Sequence, residues 1–192
     1  MKKMTVLIFI AAISLFVSQN VSAQTINLGI GGGLSIVQSP TDYKDAMGFS
    51  TEYHVGIKGK LNLPLFPITP IGIIEYHFLR GTASTPEGSL DTKQNILTLG
   101  VGGELPLVPG PISPYVGLDI EYNNLGDLEA GGTKISSGVS RTGLGIGAGI
   151  MVKILPVVNV DVNLKYQMLN LFGKEGGEDT IGIVNLNAAL FF

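Results

Sequence analysis

The sequence contains no cysteine and no tryptophan, and only 14% of its 192 residues are charged. Ordinary soluble domains carry about 25% charged residues. The lack of cysteine excludes a disulfide framework, a thiolate metal site, a cysteine nucleophile and an acylated-cysteine anchor. Beyond residue 23 no apolar run reaches the roughly 20 residues that a transmembrane helix needs, which excludes a helical membrane protein. The formal net charge of −3 argues against nucleic acid as a partner.

The start of the chain has the pattern of an export signal. Two lysines follow Met1, an apolar stretch covers residues 4–17, and the small residues Val-Ser-Ala end at Ala23. Such an order of basic, apolar and small residues is typical of a cleaved secretory signal peptide. The sequence therefore predicts a signal peptide over 1–23 and one exported domain over 24–192.

Period-2 alternation dominates the rest of the chain. From Val158 to Tyr166, for example, apolar residues occupy the even positions and polar residues the odd ones. This pattern indicates a β-strand with two unlike faces, and no window shows a convincing helical period. Eight strands are predicted, over 25–37, 53–63, 72–81, 95–105, 115–123, 141–154, 158–166 and 182–192.

The connections between these strands alternate in character. Those after the second, fourth and sixth strands are short and share a Leu-Pro-(Leu/Val) element. The four others are polar and hold nine of the acidic residues, over 39–50, 84–93, 125–140 and 174–180. Tight turns at one end and longer polar loops at the other are typical of an up-and-down barrel.

The aromatic residues favour an arrangement with the apolar face turned outward to lipid. Five of them share the apolar parity and lie near the strand ends that meet the long loops, namely Tyr53, Tyr76, Phe78, Tyr122 and Tyr166. Aromatic rings at one level indicate an interfacial girdle in a membrane, whereas a soluble core would hold them near mid-strand. Arg80 lies just beyond Phe78 with the same parity, where it could contact lipid headgroups.

The export signal, the eight alternating strands and the last strand, which ends in Phe192, resemble bacterial outer-membrane β-barrels. The likeness is to small eight-stranded members of the OmpA/OmpX type and to the PorT-like outer membrane protein β-barrel domain group. The resemblance implies an all-β fold, an eight-stranded antiparallel up-and-down transmembrane β-barrel in the cell outer membrane. It also implies that Leu186, Leu190 and Phe192, with Ala188, are the signal that the barrel-assembly machinery reads.

Polar-parity residues would then line the lumen. The charged ones are Glu52, Lys58, Lys60, Glu75, Glu104, Asp119, Glu121, Arg141, Lys153, Asp161 and Lys165. Acids and bases nearly balance, and an eight-stranded barrel is just wide enough for side chains to fill. We therefore expect a lumen closed by ion pairs, because an unpaired buried charge costs several kcal/mol. Pairing across the second hairpin would put Glu75 beside Lys58 or Lys60.

The glycine pattern leaves a narrow pore as an alternative interpretation of the lumen. Inward-facing glycines recur on two of the strands, as Gly29, Gly31 and Gly33 and as Gly143, Gly145, Gly147 and Gly149. They add no side-chain volume to the lumen. The competing interpretation is that they make room for long lumen side chains such as Lys165 and ease the coiling of the strands.

The chain offers little sign of catalysis. Its two histidines, His54 and His77, are both inward-facing on neighbouring strands with Glu52 close by, so a lipid-acting enzyme is conceivable. Histidines hydrogen-bonded within the lumen network are the simpler interpretation. We expect no catalytic residue, no cofactor and no metal site.

The sequence thus predicts a structural or surface-interaction protein that acts through its extracellular loops. A narrow pore for small solutes and a lipid-acting enzyme are the alternatives. The expected partners are outer-membrane lipids, the barrel-assembly machinery and an extracellular partner at the acidic loops.

Overall fold

A computed structural model describes residues 26–63, 66–86, 88–155 and 158–192 of the chain. The predicted signal peptide lies outside the described residues. The strands are β1 (Ile26–Ser39), β2 (Thr51–Leu61), β3 (Thr69–Thr85), β4 (Gly88–Pro106), β5 (Ile112–Leu125), β6 (Leu128–Ala130), β7 (Thr133–Ser136), β8 (Val139–Leu155), β9 (Val158–Phe172) and β10 (Gly182–Phe191), and a short helix, α1, spans Thr41–Met47. Within this part of the chain, no helix is long and apolar enough to cross a membrane.

Eight of the strands form a closed antiparallel barrel. The order around the barrel is β3, β2, β1, β10, β9, β8, β5 and β4, and the pairing of β3 with β4 closes the ring. The pairing of β1 with both β2 and β10 leaves no open edge between the first strand and the last. The predicted eight-stranded up-and-down barrel is confirmed.

The barrel turns its apolar parity outward. On β1, Leu28 and Ile30 expose 58% and 62% of their surface, while the intervening parity faces the interior. The same holds on the other barrel strands, where side chains such as Val101 and Ile120 are more than half exposed. Since exposed aliphatic side chains of this density are unfavourable in water, this wall is the lipid-facing surface.

The long connections contain more regular structure than the sequence predicts. The expected loop 84–93 is largely a continuation of the β3–β4 hairpin, with Thr85 paired to Gly88. The expected loop 125–140 contains β6 and β7, and β6 pairs with the extended part of β4. Polar residues in these segments hide the pairing, because strands above the membrane have no lipid-facing side and lose the alternation.

Helix α1 was not predicted, because its seven residues span barely two turns and show no clear period. It ends at Gly48, whose φ of +66° places it in the left-handed region. The Gly48 N–H donates to the carbonyl of Asp45, and glycine adopts this conformation without a Cβ penalty. The turn directs Phe49 into the barrel mouth, where its side chain is 1% exposed.

Candidate functional site

Inward-facing residues fill the barrel in layers. The inward residues of β3 show the order of these layers from the turn end to the loop end. Ile71 and Ile73 lie lowest, followed by Glu75, then His77 and finally Leu79. Each of these positions belongs to a different set of contacts across the lumen. Together the layers decide whether anything can pass through.

The lowest charged layer is the turn-end cluster, formed by Lys58, Lys60, Glu104 and Asp161. Lys60 Nζ lies 2.6 Å from Glu104 Oε2 and 3.0 Å from Asp161 Oδ2, and Lys58 contacts the same two carboxylates. The two ammonium groups and two carboxylates balance. Because the residues come from β2, β4 and β9, these ion pairs bridge the lumen from wall to wall.

Aromatic rings seal the turn-end cluster. The hydroxyl of Tyr115 donates to Asp161 Oδ1 over 2.6 Å. The ammonium of Lys60 lies 4.7 Å from the centre of the Tyr115 ring and 4.9 Å from that of Phe191. Phe191 is completely buried, so the residue before the C-terminal Phe192 turns into the barrel. These contacts hold the lysines by cation–π attraction as well as by ion pairs.

The central cluster consists of Lys165, Glu75, Asp119 and Glu121. Lys165 Nζ lies 2.8 Å from Glu121 Oε1, 3.2 Å from Asp119 Oδ1 and 3.4 Å from Glu75 Oε2. Gln167 adds hydrogen bonds from Nε2 to Glu75 (2.9 Å) and to Glu121 (2.7 Å). A single ammonium therefore joins three carboxylates, at the middle of the barrel.

The structure contradicts the expected pairing of Glu75 with Lys58 or Lys60. Glu75 pairs instead with Lys165, whose strand lies four places away around the eight-stranded ring. Cross-strand neighbours on one hairpin are close in register, but long charged side chains in a narrow lumen reach the opposite wall. Pairing by hairpin register therefore fails inside a small barrel.

The three other predicted lumen charges stand apart from both clusters. Arg141 reaches the loop after β9, where its guanidinium donates to Glu178 over 2.9 Å and to Glu175 over 3.4 Å. Lys153 is exposed at the turn end. Neither Lys153 nor the half-buried Glu52 forms an ion pair with another residue that the structure describes.

Above the central cluster, Ser35 joins the two histidines. Its hydroxyl lies 2.8 Å from Nδ1 of His54 and 3.0 Å from Nδ1 of His77. The acid beside them is Glu75, whose Oε2 lies 3.9 Å from His77 Nε2, rather than Glu52. Ser35 and His77 are fully buried.

The loop end of the lumen is closed by a hydrophobic layer that the sequence analysis missed. We call it the apolar cap, and it contains Val37, Phe49, Leu79, Ile96, Leu125, Leu128, Leu169 and Ile183. All of these side chains are at most 8% exposed. The available signal was the occurrence of adjacent apolar residues near strand tops, such as Phe78-Leu79 and Ile96-Leu97, which break the period-2 pattern.

At several of the inward glycines, an added side chain would collide with these lumen residues. A Cβ at Gly145 would lie 2.5 Å from Asp119 Oδ1 and 2.7 Å from Lys165 Cε. At Gly149 it would lie 2.6 Å from the Tyr115 ring, and at Gly29 it would lie 2.6 Å from the Phe191 ring. A cavity of about 60 Å³ lies between the two charged clusters, which is space for a few water molecules.

The aromatic residues predicted as a girdle all lie on the outer wall. Tyr53, Tyr76 and Tyr122 are exposed, while Phe78 and Tyr166 are half-buried. The Phe78 ring centre lies 4.8 Å from the rings of both Tyr53 and Tyr76. The predicted assembly residues Leu186, Leu190 and Phe192 also face outward, with 49%, 47% and 62% of their surface exposed.

At the loop end, a groove of about 570 Å³ opens between α1, the β3–β4 hairpin and β6. The charged residues that line it are Arg80, Asp91, Lys93 and Glu129. Lys93 pairs with Glu129 at 2.7 Å, and Arg80 donates to Asn95 Oδ1 at 3.0 Å. Across the described residues, no group of three or more His, Asp or Glu side chains is arranged to hold a metal ion.

Solved structures of other outer-membrane proteins share this fold. The neisserial surface protein A matches with a TM-score of 0.62 and 15% identity over 86% of this chain and 95% of that chain. A major outer membrane protein from Thermus thermophilus matches with a TM-score of 0.59 and 10% identity over 87% and 98%. Ail, the attachment invasion locus protein of Yersinia pestis, matches with a TM-score of 0.51 and 17% identity over 88% and 99%.

None of the curated proteins compared with the chain matches it significantly. The family model described as outer membrane protein beta-barrel domain, however, matches residues 8–192. The family match and the lipid-facing barrel wall place the protein in the outer membrane of Gram-negative-type bacteria. The chain belongs to the outer membrane protein β-barrel domain family.

Proposed function

We propose that this protein is a closed, non-conducting barrel that serves as a membrane scaffold and contacts an extracellular partner through its four long loops. The observation that carries the proposal is the layered lumen. Ion pairs cross it at two levels, and the apolar cap closes the loop end. A solute would have to break buried ion pairs and displace packed apolar side chains to pass.

A non-enzymatic role forms part of the proposal. The constellation of serine, histidine and acid lies beneath the apolar cap, and its serine is fully buried. Catalysis requires the reacting group to lie within reach of a substrate. The residues that could carry out acid–base chemistry here serve instead to hydrogen-bond one another.

The charge of the loops favours a basic partner. Each of the four loop segments carries more acidic than basic residues. Some of these acids are neutralised within the loop end, as in the pair of Asp127 with Lys134 at 2.8 Å. The side chains of Asp45, Asp91 and Asp179 are exposed and form no ion pair within the described residues.

The closed lumen is tested by liposome swelling with small sugars. Liposomes that contain the folded protein should swell no faster than empty liposomes, whereas a porin reconstituted in parallel should accelerate swelling. Sugar-size-dependent swelling with this protein would contradict the proposal and support the narrow pore.

The loop contact is tested with a cationic peptide such as polylysine and nanodiscs that carry the barrel. We expect salt-sensitive binding that weakens when Asp45→Asn, Asp91→Asn and Asp179→Asn are combined, because the attraction is electrostatic and screened. Gly176→Ser is the matched control in the same loop region, since nothing lies within 4 Å of its Cβ position. Equal binding by the triple variant and the wild type would refute a basic partner at these acids.

A further inference from the structure

Each of the three short turns opposite the loops exposes apolar side chains. We call this set the turn rim, and it comprises Leu63, Phe66, Leu107, Val108, Ile154 and Leu155. Each exposes between 40% and 59% of its surface. Short turns at this end of an outer-membrane barrel face the periplasm, where exposed aliphatic groups would contact water unless something covers them.

The turn rim is continuous with the lipid-facing wall. On β8, outward residues run from Leu144 down to Val152 without a charge, and Ile154 follows in the same parity. On β4, Val101 and Leu105 lead directly to Leu107 in the turn. On these two strands, no polar outward residue separates the lipid-facing wall from the turn-rim residues.

The girdle residues lie at the opposite end. The chain has no tryptophan and six tyrosines. Of these, Tyr115 faces the lumen and Tyr43 belongs to α1, while the other four lie on the wall toward the loop end. Tyr and Trp rings favour the headgroup region, whereas aliphatic side chains favour the hydrocarbon. The mainly aliphatic composition of the turn rim therefore suits the acyl-chain region of the membrane rather than the headgroup region.

The apolar wall that leads to the turn rim is longer than the apolar band of an ordinary barrel. Tyr122, in the girdle, pairs with Thr142 of β8. Ile154 lies twelve residues after Thr142 on β8. With a rise of about 3.3 Å per residue and a tilt near 40°, this stretch spans about 30 Å along the membrane normal. An ordinary outer-membrane barrel has an apolar band of about 25 Å.

We propose that the turn rim is embedded in the inner leaflet, where phospholipid acyl chains cover it, so that the hydrophobic span of the barrel includes the rim. The occupant is lipid because the rim continues a surface that lipid already covers. Lys153 is the exposed charge on β8 at this end. Its long side chain can reach the phosphate groups while its neighbours Ile154 and Leu155 stay in hydrocarbon.

The absence of tryptophan makes the depth of the rim directly measurable. Phe66→Trp and Val108→Trp each create a single fluorescent reporter at an exposed apolar position. Leu118→Trp is the matched control on the lipid-facing wall, and Ile135→Trp is the control in β7 at the loop end; both native side chains are at least half exposed. Folding of every variant is checked first by the heat-dependent gel shift.

The variants are folded into nanodiscs, so that iodide reaches both membrane faces, with either ordinary or chain-brominated phospholipid. We expect both rim reporters to lose fluorescence to chain bromines to the same extent as L118W and to resist iodide. Quenching of both rim reporters by iodide as strongly as I135W, with no effect of bromine, would overturn the proposal and leave the rim free for a periplasmic protein.

A second measurement uses the rim without a reporter. Leu107→Asn combined with Val108→Asn shortens the apolar span at one turn, so the variant should fold best in a thinner bilayer than the wild type does. An unchanged preference for bilayer thickness would also contradict an embedded rim. Ile135→Asn in the loop end is the control, and we expect it to leave that preference unchanged.

Discussion

Lys165 is the residue whose removal should damage the barrel most. Its ammonium is the shared partner of Glu75, Asp119 and Glu121, all within 3.4 Å. Lys165→Met keeps the length of the side chain but leaves three carboxylates together inside the wall. Removing one partner of a buried ion pair costs about 3–5 kcal/mol, because the remaining charge is uncompensated. We therefore expect the free energy of unfolding to fall by about that amount.

The assay is denaturant unfolding in lipid vesicles, followed by the mobility difference between folded and unfolded protein on a gel. Lys153→Met removes the same charge at an exposed position and should change stability by less than about 0.5 kcal/mol. Adding Glu121→Gln to Lys165→Met should restore part of the loss, with a coupling energy of roughly 0.5–3 kcal/mol. If Lys165→Met and Lys153→Met prove equally mild, the central cluster does not hold the barrel closed and the argument fails.

Other predictions address the glycines, the cap and the loops. Gly149→Ala should lower the free energy of unfolding by about 1–3 kcal/mol through overpacking. Gly72→Ala, with nothing within 4 Å of its Cβ position, should leave it nearly unchanged. Equal effects of the two substitutions in the unfolding assay would contradict the idea that inward glycines leave space for lumen side chains. Phe49→Ala should lower the unfolding free energy by about 3–5 kcal/mol through a cavity in the apolar cap, and faster amide exchange in the cap strands would accompany it. The hydrogen bond from the Arg141 guanidinium lowers the pKa of Glu178 from 4.5 to about 2; its contribution to loop anchoring is therefore complete above pH 4.5 and is lost as the pH falls toward 2. A spin label at Gly176→Cys should become more mobile over that pH range, and mobility that does not change with pH would rule out this anchor.

The sequence was sufficient to predict the barrel because a two-faced wall imposes a period of two on every strand. The alternation from Val158 to Tyr166 predicts the strand β9, and the short turns and long loops indicate the topology. Strand ends beyond the membrane escaped prediction, since residues of β6 and the upper β3–β4 hairpin turn no apolar face to lipid and so lack the alternation of the barrel wall.

The interior was predictable in composition but not in its pairing. Parity alone places Lys58, Glu75 and Lys165 inside the barrel. Which charges meet depends on the stagger of the closed ring, and this brings Glu75 to Lys165 across the lumen. The apolar cap was missed because Phe49 enters from a loop and because Leu79 follows the outward Phe78 as one more apolar residue.

Single-channel recording in a planar bilayer tests the closed lumen most directly. The refolded protein, shown to be folded by its heat-dependent gel shift, should add no current to the bare membrane at any moderate voltage, because ion pairs and the apolar cap fill the barrel. Discrete and reproducible current steps whose size changes in Lys58→Gln would contradict a plugged barrel and establish a pore.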